Sequence, residues 1–129
     1  MDHRAKGAER RKRVQGPKSE FLHRAVADLD PEVAAWVDEF VFGTVWERPG
    51  LSDEERTLVA IGTLAAGEHP NQLRAYLFGA LHAGMSARKI HEALVMQVVY
   101  SGFPVALQAL TVWREVLASA RRHGVTVDL

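Results

Sequence analysis

The chain contains no cysteine, which excludes disulfides, thiolate zinc sites and any cysteine nucleophile. Long apolar runs are also missing. Nothing approaches the roughly 20 residues that a bilayer-spanning helix needs, so a soluble protein with no membrane partner is expected. No apolar stretch follows the early basic residues Arg4, Lys6 and Arg10 to Arg13, so a secretory signal is not indicated and a cytoplasmic location is the simpler inference. The ten glycines are scattered at turns, and no phosphate loop or dinucleotide fingerprint can be built from them.

What is present has the size of one compact domain. The 129 residues are 47% hydrophobic and 25% charged, an ordinary globular balance that can bury a core. The net charge of +0 hides an asymmetry. Residues 1–19 read as a basic arm, and beyond Glu20 nine basic residues face thirteen acidic ones. Such an arm reads as a solvated tail or as a packing arm in an oligomer. No helix-turn-helix, zinc finger or aromatic-stacking module follows it, and the acidic body argues against a nucleic-acid partner.

Residues 20–129 read as all-α, because apolar positions recur at three and four and strand alternation is absent. Asp30-Pro31 is an N-cap followed by the favoured N1 proline. Val33, Trp36, Val37, Phe40 and Val41 then form a stripe that ends at Gly43, with Trp36 and Trp46 expected as core anchors. Ser52 and Glu55 have capping-box spacing, followed by Leu58, Val59, Ile61, Leu64 and Ala65. A shorter helix carries Leu73, Leu77, Ala80 and Leu81 to Gly84, a C′ glycine. Ser86 caps the next helix, and Gly102-Phe103-Pro104 turns into a last long helix closed by Gly124. Five or six helices arranged as helical hairpins result. The last two carry apolar residues around more than one face, which predicts self-association.

Six histidines invite a metal test. His69 and His82 would lie roughly 20 Å apart along a helix, and no His-x-x-x-His or Glu-x-x-His pair shares a helix face. No metal ligand set is assigned.

The segment Gly43-Thr-Val-Trp-Glu-Arg-Pro-Gly-Leu51 runs into the Ser52 to Arg56 helix start. It is followed by Gln72-Leu-Arg-Ala-Tyr-Leu77, Gly84-Met-Ser86 and Tyr100-Ser-Gly-Phe-Pro104. Over most of residues 20–122 this order of landmarks resembles the carboxymuconolactone decarboxylase family of the AhpD-like superfamily. The resemblance implies an AhpD-like helical domain that assembles into a ring oligomer, a trimer or a hexamer, and acts on a small-molecule substrate with no cofactor. The peroxidase branch works through a Cys-x-x-Cys pair, and here the matching stretch, His69 to Tyr76, has no sulfur. The decarboxylase branch needs a cation for a carboxylated lactone, an apolar wall and an acid that protonates carbon.

Against the decarboxylase pattern, Tyr76 stands where a histidine is typical, Phe78 where an arginine is usual, and Met96 where histidine or glutamine is found. His82 replaces a common asparagine. The resemblance therefore implies an enzyme acting on a small lactone or carbonyl compound, by decarboxylation or isomerisation, with a more apolar aromatic or polyketide-like substrate. Candidate catalytic residues are Tyr76, His82, Arg56 and Glu55; candidate substrate-binding residues are Phe42, Trp46, Phe78, Met96 and Arg74. Each has a structural competitor: capping for Glu55, an ion pair with Asp53 or Glu47 for Arg56, and core packing for the aromatics. The alternative function is a non-catalytic, oligomeric ligand-binding or scaffold protein on the same fold.

Overall fold

A computed structural model describes residues 2 to 129. The chain runs through α1 (His3–Gln15), a 3-10 turn (Gly16–Lys18), α2 (Ser19–Leu29), α3 (Pro31–Trp36), a π-helical segment (Val37–Val45), α4 (Asp53–Ala66) and α5 (Pro70–His82). It ends with α6 (Ala87–Val95), α7 (Gln97–Tyr100) and α8 (Phe103–Arg122). Among the described residues there is no strand, and no helix is long and apolar enough to cross a membrane.

The helix ends follow local chemistry. Asp30 Oδ1 accepts from the Glu32 and Val33 amides at the start of α3. Ser52 and Glu55 form a reciprocal capping box on α4, with bonds of 2.8 and 3.1 Å. Gly84, at φ 93°, ends α5 as the left-handed residue that L side chains rarely adopt. Ser86 Oγ accepts from the Lys89 amide and donates to Asp128. The Asp128 carboxylate also accepts from the Ala87 amide. Those two bonds, the Ser86 hydroxyl first, hold the Asp128 carboxyl below its usual range and fasten the C-terminal tail over the start of α6.

The main core lies between α4, α5, α6 and α8. Ile61, Leu77, Ile90 and Leu94 are fully buried there, with Trp113 beside them. The indole Nε1 of Trp113 donates to His91 Nδ1 at 3.2 Å. A second cluster of Val14, Phe42 and Trp46 joins α1 to the π-helical segment, and Tyr76 packs against both clusters.

The solvated-tail reading of the N-terminal segment is corrected by α1. A Cβ on Gly7 would lie 1.6 Å from the Asp38 carbonyl oxygen, and one on Gly43 would lie 2.0 Å from the His3 carbonyl oxygen. The two backbones therefore cross in van der Waals contact, which only glycine permits. A Cβ on Gly79 would lie 1.9 Å from the Val14 carbonyl, so the end of α1 sits equally close to α5. Arg11 and Asp38 are 3% and 4% exposed and form a two-point ion pair of 2.6 and 3.4 Å. Ser19 adds an acceptor to the guanidinium at 2.6 Å.

Two further expectations are corrected. The helix does not end at Gly43, because i to i+5 bonding such as Trp46 N–H to the Val41 carbonyl, 3.0 Å, carries it to Val45. The stripe of Val33, Trp36 and Phe40 faces outward, with Trp36 57% exposed. The opposite face, through Ala34, Asp38 and Phe42, is the buried one. Periodicity located the helix and misassigned its inner face, since the glycine crossing chose the side that α1 covers.

Arg11→Met leaves the Asp38 carboxylate buried without its partner, an imbalance that typically costs about 3 to 5 kcal/mol. Denaturant unfolding should show a loss of that order, and Arg11→Met/Asp38→Leu should regain much of it. Equal stability of the Arg11→Met and parent chains would show that the pair is solvated.

Candidate functional site

The end of the π-helical segment, the following turn, α4 and α5 enclose a cleft of about 480 Å³ that is open on one side. Inserting one residue per turn rotates everything beyond it by about 100° relative to an α-helix. Phe42 thereby stays in the core while Val45 and Trp46 reach the cleft wall. The capping box starts α4 so that Arg56, Val59, Ala60 and Thr63 face the same space, and α5 contributes Gln72 and Tyr76, one turn apart. Leu51 and Leu64 complete the apolar part of the wall.

Tyr76 lies against Trp46, with ring centroids 6.5 Å apart and planes tilted by 32°. Burial pushes its phenol pKa up from the ordinary value, because desolvation disfavours phenolate. The hydroxyl is thus a donor and proton source across the neutral and mildly alkaline range.

Arg56 is the cation of the cleft. Its Nη2 donates to the Arg48 carbonyl at 2.6 Å, which fixes the guanidinium against the turn. Its Nε is buried with no hydrogen-bond partner among the described residues. The ion pair considered for Arg56 does not form, since Asp53 and Glu47 are both taken by Arg10 and Asp53 also by Arg13. Glu55 is near enough to feel the Arg56 charge, but no ion pair joins the two among the described residues, and a partly buried guanidinium outside any ion pair can receive an anion.

The remaining candidates are placed elsewhere, each for a local reason. Glu55 is exposed and bonded to the Ser52 amide, and that bond is the first cause of its lowered pKa; it caps α4 and does not enter the cleft. Phe42 backs Trp46 from the core at 5.2 Å. Phe78 and His82 share the other face of α5, with rings stacked at 6.3 Å. Lys18 Nζ lies 4.2 Å from the Phe78 centroid. His82 is exposed and lies in a surface hollow with Lys12, Arg13 and Pro17. Arg74 pairs with Glu115 at 2.9 Å and with Asn71 at 3.1 Å. Met96 is exposed, at the junction of α6 and α7. The helical period separates positions 74, 78 and 82 from 72 and 76, so this monomer does not bring Arg74, Phe78, His82 or Met96 to the cleft.

Gln72 and Thr63 are cleft residues that sequence reasoning missed. Gln72 lies four residues before Tyr76, and that spacing was the signal that could have found it.

A phenolate absorbance titration of Tyr100→Phe, which leaves Tyr76 as the remaining tyrosine of two, should have its midpoint above the ordinary phenol value of about 10. A midpoint at that value would mean that the ring is solvated and the cleft wetter than described.

The family model described as "Carboxymuconolactone decarboxylase family" matches residues 31–115, from α3 into α8. The chain is 30% identical over 114 residues to a nitrosuccinic acid decarboxylase of Metarhizium robertsii, covering 86% of this chain and 78% of that protein. It is 29% identical over 113 residues to a 4-carboxymuconolactone decarboxylase of Acinetobacter baylyi, covering 85% and 83%. An uncharacterized 15.0 kDa protein of Paracoccus denitrificans is 33% identical over 100 residues, 76% of this chain and 75% of its own length.

Proposed function

Because the chain belongs to the carboxymuconolactone decarboxylase family, we propose that it is a cofactor-free decarboxylase of a small carboxylated lactone or carbonyl compound that is more apolar than carboxymuconolactone. The observation that carries this reading is the unpaired Arg56 guanidinium and the protonated Tyr76 phenol lining one cleft. Two similar proteins are named as decarboxylases. The cleft that holds Tyr76 and Arg56, although open and without His82, favours the enzyme over the scaffold alternative.

The chemistry needs few groups. The carbon–carboxylate bond breaks and carbon dioxide leaves, while the bonding pair flows into the adjacent carbonyl as an enolate. Arg56 stabilises the developing oxyanion, as a fixed cation does best where water is scarce. Trp46, Val45, Leu51 and Val59 form the wall along which the departing carboxylate loses its hydration. Tyr76 then delivers its proton to the carbanionic carbon, and the phenolate recovers a proton from solvent. A proton held by a phenol of raised pKa is available for donation but makes a poor base. Isomerisation through the same enolate would use the same two residues.

We also propose that the protein works as a homo-oligomer. Val99, Tyr100, Phe103 and Leu107 on α7 and α8 are all more than half exposed, an apolar surface that a second copy of the same chain would cover. Light scattering of the parent chain should give a multiple of 14.3 kDa, and Val99→Glu/Phe103→Glu should lower it.

Carbon dioxide release from carboxymuconolactone and from a panel of more apolar β-oxo acids tests the activity. Tyr76→Phe should lower kcat by about 100-fold or more, the usual range for loss of a general acid. Arg56→Gln should lower kcat/KM with the fold intact by circular dichroism. No release from any member of the panel would sink the decarboxylase reading.

A further inference from the structure

Tyr76 and Gln72 face two spaces. On their far side from Arg56 lies a second chamber of about 300 Å³, bounded by α1, α2, the start of the π-helical segment and α5. We propose that this chamber is a subsite for an apolar tail ending in a hydrogen-bond donor, a hydroxyl or amide N–H, on the molecule whose carboxylated head occupies the Arg56 cleft. The inference rests on the function proposed above and assigns a substrate class to it: elongated, largely hydrocarbon, acidic at one end and donor-capped at the other.

Three observations carry it. Half of the residues lining the chamber are aliphatic, among them Leu22, Val26, Val37 and Ala75, and these suit an alkyl or aryl group. Its charged members are already engaged with protein: Arg11 is paired with Asp38 and Ser19, and His23 Nε2 lies 3.6 Å from Asp38. They contribute a compensated wall and not a charge for the ligand. Gln15, which also lines the space, presents a buried Oε1 with no hydrogen-bond partner among the described residues. Such an orphaned acceptor is destabilising unless a donor reaches it, and a turn of the Gln15 side chain into the chamber it lines would let a ligand donor supply one.

The placement of the wall adds a fourth point. Gln15, Leu22 and Val26 precede residue 31, where the family match begins. The part of the enclosure that would read the tail is therefore built by α1 and α2, outside the matched span. Gln72 is exposed and borders both spaces, so the proposed chain would cross beside its side chain.

The probes are the straight-chain carboxylates from butanoate to dodecanoate and their ω-hydroxy counterparts, with binding measured by calorimetry on the full chain. Affinity should rise about fourfold per methylene once the chain passes Tyr76, the value of one buried CH₂, and then level off. At the optimal length the ω-hydroxy compound should bind several-fold tighter than its plain analogue. Gln15→Leu should abolish that advantage while keeping the affinity for the plain chain. Ala25→Phe, at an exposed position on the chamber wall where the fold is not at risk, should flatten the length dependence and leave butanoate unaffected. Affinity independent of chain length, or a length dependence that Ala25→Phe does not alter, overturns the chamber while leaving the cleft standing, provided Arg56→Gln still weakens butanoate. Butanoate binding that Arg56→Gln does not weaken overturns the cleft and the chamber together.

Discussion

The buried ion pair between Arg11 and Asp38 holds α1 across the π-helical segment, and both proposed binding spaces depend on that crossing. Two charges of this kind lose their hydration on folding, and the loss is offset only when geometry and additional hydrogen bonds are good. Here the guanidinium meets two carboxylate oxygens and the Ser19 hydroxyl, while Gly7 and Gly43 let the backbones close to contact. A longer approach would leave the pair wet and the crossing loose. The glycines and the charges therefore work as one device.

The same helix sets the charge of the cleft. Arg10, one residue from Arg11, pairs with Glu47 and Asp53, the two carboxylates that sequence offered as partners for Arg56. Arg56 is left to the Arg48 carbonyl, a neutral acceptor that orients the guanidinium without cancelling its charge. An N-terminal segment that looks like a spare basic arm in this way engages the carboxylates at the start of α4 and in the turn before it. It also supplies Gln15 and so links recognition of a head group to recognition of a tail.

Much of the fold could be read from local rules. Asp30, the Ser52 and Glu55 pair, Gly84, Ser86 and Gly124 mark helix ends by chemistry confined to a few residues, and each does so in the structure. The motif landmarks gave the family, and two of the proposed chemical residues, Tyr76 and Arg56, do share a cleft with Trp46. Arg74, Phe78, His82 and Met96 were nominated by position within a family pattern. In this chain Phe78 stacks with His82 on the other side of α5, so a pattern position did not translate into a shared space. Gln72 is signalled by its spacing to Tyr76 along α5, whereas Thr63 carries no motif signal and only the packing of α4 against α5 brings it to the same cleft.

The amino-acid order alone determined what depends on residues close along the chain: an all-helical, cysteine-free protein, most of the helix ends beyond Asp30 and its family. Tertiary structure decided what depends on residues far apart. It placed α1 in the body, turned the Trp36 stripe outward and reserved Asp53 and Glu47 for Arg10. It also put Tyr76 between two spaces. The physical reason is that capping and periodicity act within one or two helical turns, whereas an ion pair or a glycine crossing forms between segments dozens of residues apart. Its energy depends on burial, and no local pattern encodes burial.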